Sequence, residues 1–356
     1  MSQDEYMSQM KASQAGATQI LVAQTDDVRP FARLLRGIGL KHNAVMVISN
    51  EGFEITVEEV KTLSAIAYIP TNLFQTFTYA PPDDDAPAFE ISLDSLLQCL
   101  NIFGNAGSAG SGSALNNMGG KKQRRWAGEG EGGGDDDTSF SSGRGGGRER
   151  RTGMRMTWAG HGEPLSMFLQ DDGKGPVTTC ELSTYQPEEM MAQAFDIDNR
   201  AVYVIMKSEL FRDALLDLPP SSTKITLTAT PPRVALPDHL ANATSSSNLR
   251  RAHKADVGNL GIKAQGDFGE TQLDYPNEKS VMETFDVETE VQFSYHYAHF
   301  AMLSRALQQS VKIALQIEHT GYLCLQIMMP ITKDLGTGVH MGILEFKMNA
   351  LEEDEE

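Results

Sequence analysis

Hydrophobic residues recur along this chain with two periods. Alternation over short runs predicts strands at 18–25, 44–49, 53–57, 63–69 and 89–93, and after a gap at 154–158, 165–169 and 177–182. Asn50, Glu51 and Gly52 supply the turn between the second and third. A helical period takes over at Phe31, Leu34, Leu35 and Ile38, spaced i, i+3, i+4 and i+7. A helix capped by Asp26 or Asp27 and running to about Gly37 therefore turns one stripe inward. Leu93, Leu96, Leu97 and Leu100 mark a second helix of the same kind.

The order then recurs. A strand at 202–206 leads to a helix opened by Ser208, with Phe211, Ala214 and Leu215 inward, and strands follow at 224–229 and 291–297. A helix over 299–308 turns Phe300, Leu303 and Leu307 inward, and strands at 311–318, 322–329 and 340–348 close the chain. Each half reads strand, helix, strands, helix, strands, although the residue identities barely match. The pattern predicts an α+β fold of two similar domains, antiparallel sheet with two helices each, by internal duplication of topology.

Composition breaks this pattern in two places. Residues 104–153 hold 16 of the chain's 32 glycines, too little apolar surface to offset the entropy of ordering. The tract 232–259 is rich in Ala, Ser and Asn without an apolar period and reads as a long loop. The expected organisation is a disordered N-terminus 1–17, domain 1 over 18–183 with a Gly-rich insert 105–153, and a connector 184–199. Domain 2 follows over 200–351 with an insert at about 232–259, then an acidic tail 352–356.

The net charge of -18 argues at first against nucleic acid, whose phosphates are held largely by Lys and Arg. No apolar run approaches the roughly 18 residues of a membrane span, and Met1 to Glu5 carries acids where a secretory signal has a basic start. Cys99, Cys180 and Cys324 lie far apart, which supports neither a disulfide framework nor a zinc site. A reducing compartment, cytosol or nucleus, is expected.

Chemical motifs fare poorly. Gly128, Gly130 and Gly133 satisfy Gly-x-Gly-x-x-Gly without the strand and helix a dinucleotide site needs. Gly120-Lys121 lacks the remaining residues of a phosphate loop. His296 and His299 have no third ligand at zinc-protease spacing, Asp83, Asp84 and Asp85 read as a solvated turn, and Asn242 opens a glycosylation sequon with no signal to carry it to that machinery. The basic residues say more. Arg29, Arg33 and Arg36 recur opposite the apolar stripe of the first helix, Lys207 and Arg212 flank the third, and Arg305 and Lys312 the fourth. Spacing alone leaves two readings, a solvated helix face or a phosphate-binding one. Lys121, Lys122, Arg124 and Arg125 beside Trp126, with Arg144, Arg148, Arg150 and Arg151, stand in the Gly-rich insert among six acids. They read as a solvated linker before a nucleic-acid arm or an import signal.

Several segments together resemble a known family. Phe89-Glu90-Ile91-Ser92-Leu93, leading into Leu96-Leu97-Gln98-Cys99-Leu100-Asn101-Ile102-Phe103-Gly104, begins the match. Pro164-Leu165 with Phe168-Leu169, Gln186-Pro187-Glu188-Glu189 and Leu273-Asp274-Tyr275-Pro276 continue it. In order and spacing they are similar to the checkpoint sliding-clamp subunits of the Rad-one type, members of the nine-one-one complex. The resemblance implies a sliding-clamp (DNA clamp) fold like that of proliferating cell nuclear antigen, and a heterotrimeric ring with two paralogous subunits in the nucleus. It further implies loading by a checkpoint clamp loader on double-stranded DNA at recessed junctions, and recruitment of checkpoint and repair clients. No cofactor, metal or catalytic residue is implied, although a 3′-5′ exonuclease activity has been attributed to the family and stands as the alternative.

In such rings the helices line the hole, so Arg29, Arg33, Arg36, Lys207, Arg212, Arg305 and Lys312 are expected to face DNA. The second helix offers only Asp94, Ser95, Gln98 and Asn101 there. By the same resemblance the edge strand formed by Val177, Thr178, Thr179, Cys180, Glu181 and Leu182 meets one neighbouring subunit. Glu270, Thr271, Gln272, Leu273, Asp274 and Tyr275 meet the other. A client groove under the connector is expected at His42, Val45, Met190 and Met191. Net charge is no objection to a ring, which needs positive potential only along its bore.

Overall fold

The computed structural model describes residues 19–81, 87–104, 106, 151–171, 175–190, 194–232, 257–267, 269–334 and 338–352, with the side chains of 332–340 excepted. Most of 1–17, 105–153 and 232–259, together with Asp83 to Asp85, Met191 and the tail beyond Glu352, lie outside these residues. The chain starts with β1 (Leu21–Thr25), α1 (Arg29–Gly37), β2 (Asn43–Ser49), β3 (Gly52–Glu59), β4 (Leu63–Pro70) and β5 (Thr76–Tyr79). Then come β6 (Ala88–Ser92), α2 (Leu93–Leu100), β7 (Thr152–Trp158), β8 (Leu165–Asp171) and β9 (Val177–Leu182).

The second half opens with β10 (Arg200–Lys207), α3 (Ser208–Asp217), β11 (Lys224–Thr230), β12 (Asn259–Gly266), β13 (Gly269–Pro276) and β14 (Met282–Val287). It ends with β15 (Val291–His296), α4 (Tyr297–Met302), α5 (Ser304–Leu307), β16 (Lys312–Glu318), β17 (Leu323–Asp334) and β18 (Gly338–Met348).

Every strand pairing is antiparallel, and the strands form three sheets in the orders β5-β1-β7-β8-β9, β14-β10-β16-β17-β18-β4-β3-β2-β6 and β13-β12-β11-β15. Numbered within their own halves, both halves follow one plan: strands 5-1-7-8-9 in one sheet and 4-3-2-6 in another. The nine-stranded sheet arises because the ninth strand of the second half, β18, pairs with the fourth of the first, β4, from Ile343↔Tyr68 to Met348↔Leu63. Even the coverings repeat. Tyr185, three residues beyond β9, exchanges two 2.9 Å bonds with Glu90 on β6, and Leu351, three beyond β18, donates to Ser294 on β15 at 2.7 Å.

Four strands lack the sequence signal of the others, among them β13, which buries no residue. In β5 no residue is buried, in β14 only Met282 and Val287 are, and in β12 the alternation of Leu260, Ile262 and Ala264 is diluted by glycine. Ser208 is the first residue of α3 rather than its cap, and its hydroxyl is buried without a partner. The helix expected over 299–308 starts earlier and is broken at Leu303, whose amide donates to Phe300 in a tighter three-residue turn.

Apolar faces of sheet and helix meet in one core. Phe31, Phe53, Phe74 and Phe77 cluster with ring centroids 5.4–6.3 Å apart, and Trp158 lies 4.6 Å from Phe89. At the seam between the halves, a Cβ on Gly37 would lie 2.2 Å from Leu344 on β18 and 3.8 Å from Ala306 on α5. The missing side chain lets α1 settle on the other half of the molecule.

Candidate nucleic-acid and subunit interface

The helices pack against one another in file: α2 on α1, α1 on α5, and α5 on α3. A single layer thus crosses the seam. In α1 the Asp27 carboxylate accepts from the Arg29 amide at 3.0 Å and pairs with its guanidinium at 2.7 Å, satisfying a helix-start donor while neutralising the first cation of the stripe. Pro30 presets the first turn. Arg33 Nη1 donates to the Pro330 carbonyl at 2.9 Å, beside the register shift in β17, and so ties α1 to the second half. Burial, and then the charge of Arg33, pulls Arg36 below its ordinary pKa, as two close cations on one face require.

On the other half, Arg212 is held by Asp213 at 2.9 Å, whereas Lys207 and Arg305 are exposed and enter no ion pair among the described residues. Lys312 departs from expectation. It opens strand β16 instead of flanking a helix face, stands in register with Lys207, and pairs with Glu283 on β14 at 2.6 Å.

Two sheet edges, among the described residues, are the counterparts of the strands that pair at the seam. The first is β9, bonded only to β8, with Val177, Thr179 and Glu181 exposed and Thr178 and Cys180 half-buried. Beneath it Cys99 of α2 shares a thiol hydrogen bond with Cys180, and burial first, then that neighbour, pushes Cys99 up to about 12, which leaves it a poor nucleophile. The second is β13, bonded only to β12, where Glu270 is exposed and pairs with Lys263 at 2.9 Å and Gln272 donates to Asp274 at 3.1 Å.

A groove of about 500 Å³ lies where the connector passes β2, β3 and β6. Val45, Ala44 and Met190 line it with Lys41, Lys61, Val60, Glu58, Glu90, Glu188 and Glu189. The connector is pinned at both ends: Tyr185 bridges Glu90, and the Asp196 amide donates to buried Glu318 at 2.7 Å while Phe195 stacks on Tyr322. His42 is not part of the lining. It is exposed, with its ring hydrogen-bonded to Asp94 at the start of α2.

A family model for the repair proteins Rad1, Rec1 and Rad17 matches residues 20–329. The chain belongs to the Rad1/Rec1/Rad17 repair protein family. The human cell cycle checkpoint protein RAD1 is 26% identical over 87% of this chain and 86% of its own length. The fission yeast DNA damage checkpoint control protein rad1 is 26% identical over 94% and 88%. The Mycosarcoma maydis DNA repair exonuclease REC1 is 22% identical over 90% and 89%. The fold is accordingly that of a DNA sliding clamp. Within this member of the Rad1 family, sequence spacing placed Arg33 and Arg36 on one helix face. It gave no sign that Asp27 occupies Arg29, and it missed Val60, Lys61, Glu58 and Glu90 of the groove, which only the hairpin and β6 bring to the connector. No helix among the described residues is long and apolar enough to cross a membrane.

Proposed function

We propose that this chain is one of three related subunits of a DNA-damage checkpoint ring. The ring acts in the nucleus and encircles double-stranded DNA, with the helix layer toward the phosphates. One observation carries the reading. Inside the chain the two halves are joined by pairing a ninth strand to a fourth, β18 to β4, and at the two ends of the chain's sheets a ninth strand, β9, and a fourth, β13, stand without such a partner among the described residues. Repeating the internal joint between subunits leaves no edge of this kind unpaired, and a head-to-tail contact of fixed rotation closes into a ring. Val177 to Leu182 of one subunit then meets the fourth strand of the next, and Glu270 to Tyr275 the ninth strand of the one before.

Arg33, Arg36, Lys207 and Arg305 are the cations left for DNA, which gives a loose, sequence-independent and salt-sensitive contact. The names of the human and fission yeast relatives support the checkpoint role. In this reading a clamp loader places the ring at recessed junctions, and clients bind in the groove beneath the connector. Sizing by light scattering tests the assembly: the chain mixed with its two paralogues is expected to give a 1:1:1 species. A lone chain that stays monomeric in that mixture overturns the ring.

The name of the Mycosarcoma maydis relative keeps a nuclease reading in view. Hydrolysis on metal ions needs converging carboxylates, and among the described residues no three His, Cys, Asp or Glu side chains stand close enough to hold a metal ion. Magnesium-dependent digestion of labelled DNA, lost on changing one named acid, is the result that would favour it.

A further inference from the structure

The tip of the β3–β4 hairpin holds a backbone conformation that its residues disfavour. Val60 and Lys61 have φ of +50° and +59°, and the Thr62 amide closes the turn on the Glu59 carbonyl at 3.1 Å. Two successive positive φ values mark a type I′ turn, which Asn-Gly, Asp-Gly and Gly-Gly adopt freely. A branched side chain such as Val is a true outlier there. Strain of this kind survives only where the surroundings over-determine it. Here the residue after the turn is gripped from the other half of the molecule. Thr62 Oγ1 lies 3.4 Å from His299 Nε2, and the Thr62 carbonyl accepts from the Asn349 amide at 3.3 Å. Those contacts hold the turn in place. They give no reason for Val at its tip.

The position of the side chain supplies one. Val60 is 70% exposed, the second most exposed of the chain's large apolar residues among those described, and it stands on the groove beneath the connector. Ala44, Val45 and Met190 give that groove an apolar surface, while Glu58, Glu90, Glu188 and Glu189 outnumber Lys41 and Lys61 on it. Lys41 is already engaged by Glu59 at 3.4 Å, which deepens the acidic excess.

We infer that Val60 is a specificity-determining residue of this groove, held out by its strained turn to pack on a bulky apolar side chain of a basic client segment. The flanking Lys or Arg residues of that segment pair with the groove's acids. The inference rests on the proposal that clients bind beneath the connector.

A phage-displayed library of random twelve-residue peptides, panned on the full-length chain, tests both ideas separately. Met190→Glu blocks the groove from the connector side without touching the turn. Peptides that lose binding to Met190→Glu are expected to carry one bulky apolar residue flanked by Lys or Arg. They are expected to bind at least tenfold more weakly to Val60→Asn/Lys61→Gly, which supplies the pair that the turn prefers and melts no lower than the parent. Removing Lys61 leaves the groove more acidic, so weaker binding of a basic peptide reports the loss of Val60. Val60→Ala, which keeps the backbone as it is, is expected to show the same loss and decides the matter if the double variant folds less well. Groove peptides that are acidic, or that bind both Val60 variants within twofold of the parent, overturn this inference and leave the client groove standing. A selection in which no peptide responds to Met190→Glu overturns the client groove itself, and this inference with it.

Discussion

Single residues in this chain owe their behaviour to partners that sequence spacing does not reveal. Tyr295 is fully buried, and its hydroxyl donates to the Gly321 carbonyl at 2.8 Å, so Tyr295→Phe is expected to cost about 1 kcal/mol in chemical denaturation. Gly52 ends the β2–β3 turn with φ +137°, and a Cβ there would lie 2.0 Å from the Ile69 carbonyl oxygen. Gly52→Ala is therefore expected to lose roughly 2 kcal/mol or more, because both the conformation and the space are denied. His299 is buried, and burial first, then His296, lowers its pKa while Glu59 opposes. A base with a lowered folded pKa stabilises the native state fully above its unfolded value, near 6.5, and progressively less as pH falls below it. The melting temperature should then drop between about pH 7 and pH 5.5, and drop less in His299→Gln; equal slopes would remove His299 as the cause. The Asn-Glu-Gly turn was legible because glycine announces it. The turn at Val60 was not, since no residue in Glu59-Val60-Lys61-Thr62 favours positive φ.

At the level of elements, legibility followed burial. The helices α1 and α2 were readable because each turns one apolar stripe inward, as were the strands with two or more inward residues in alternation. β5 and β14 are edges of their sheets and bury little, so the period that would reveal them is faint. The order of strands within the sheets was not legible at all, because register is set by partners far away in sequence and a local pattern cannot name them. The strand β9 was legible from its pattern, its role toward a neighbour is implied only by resemblance, and its exposed face makes a clean experiment. Val177→Lys with Thr179→Lys adds two charges to the open side of that strand, the device by which natural edges refuse partners. The lone chain should melt within a degree or two of the parent, since neither side chain is buried. Mixed with its paralogues it should fail to enter the ring in light scattering. A variant that assembles normally would place the contact elsewhere.

For the whole molecule, a net charge of -18 coexists with a helix layer whose described cations include Arg33, Arg36, Lys207 and Arg305. If that layer faces DNA, Arg36→Ala, Lys207→Ala and Arg305→Ala together leave assembly intact and flatten the salt dependence of retention on closed circular DNA. The log–log slope is expected to change by about 0.9 for each phosphate that is no longer neutralised. An unchanged slope would move the DNA-binding surface off the helices. Arg33 is left out of that set because its bond to Pro330 serves the seam. The same seam carries a further consequence. A protein whose two ends complement each other is a monomer for a polymer as much as a segment of a circle, and every copy is a potential neighbour for its twin. The counterweight is written on the two ends themselves: β13 offers Glu270 and Asp274, and β9 answers with Glu181 and no cation, so like meets like when the chain tries to dock on itself. If those two strands are the subunit contacts, their own charge discourages growth into fibres and favours a partner that brings positive charge to them.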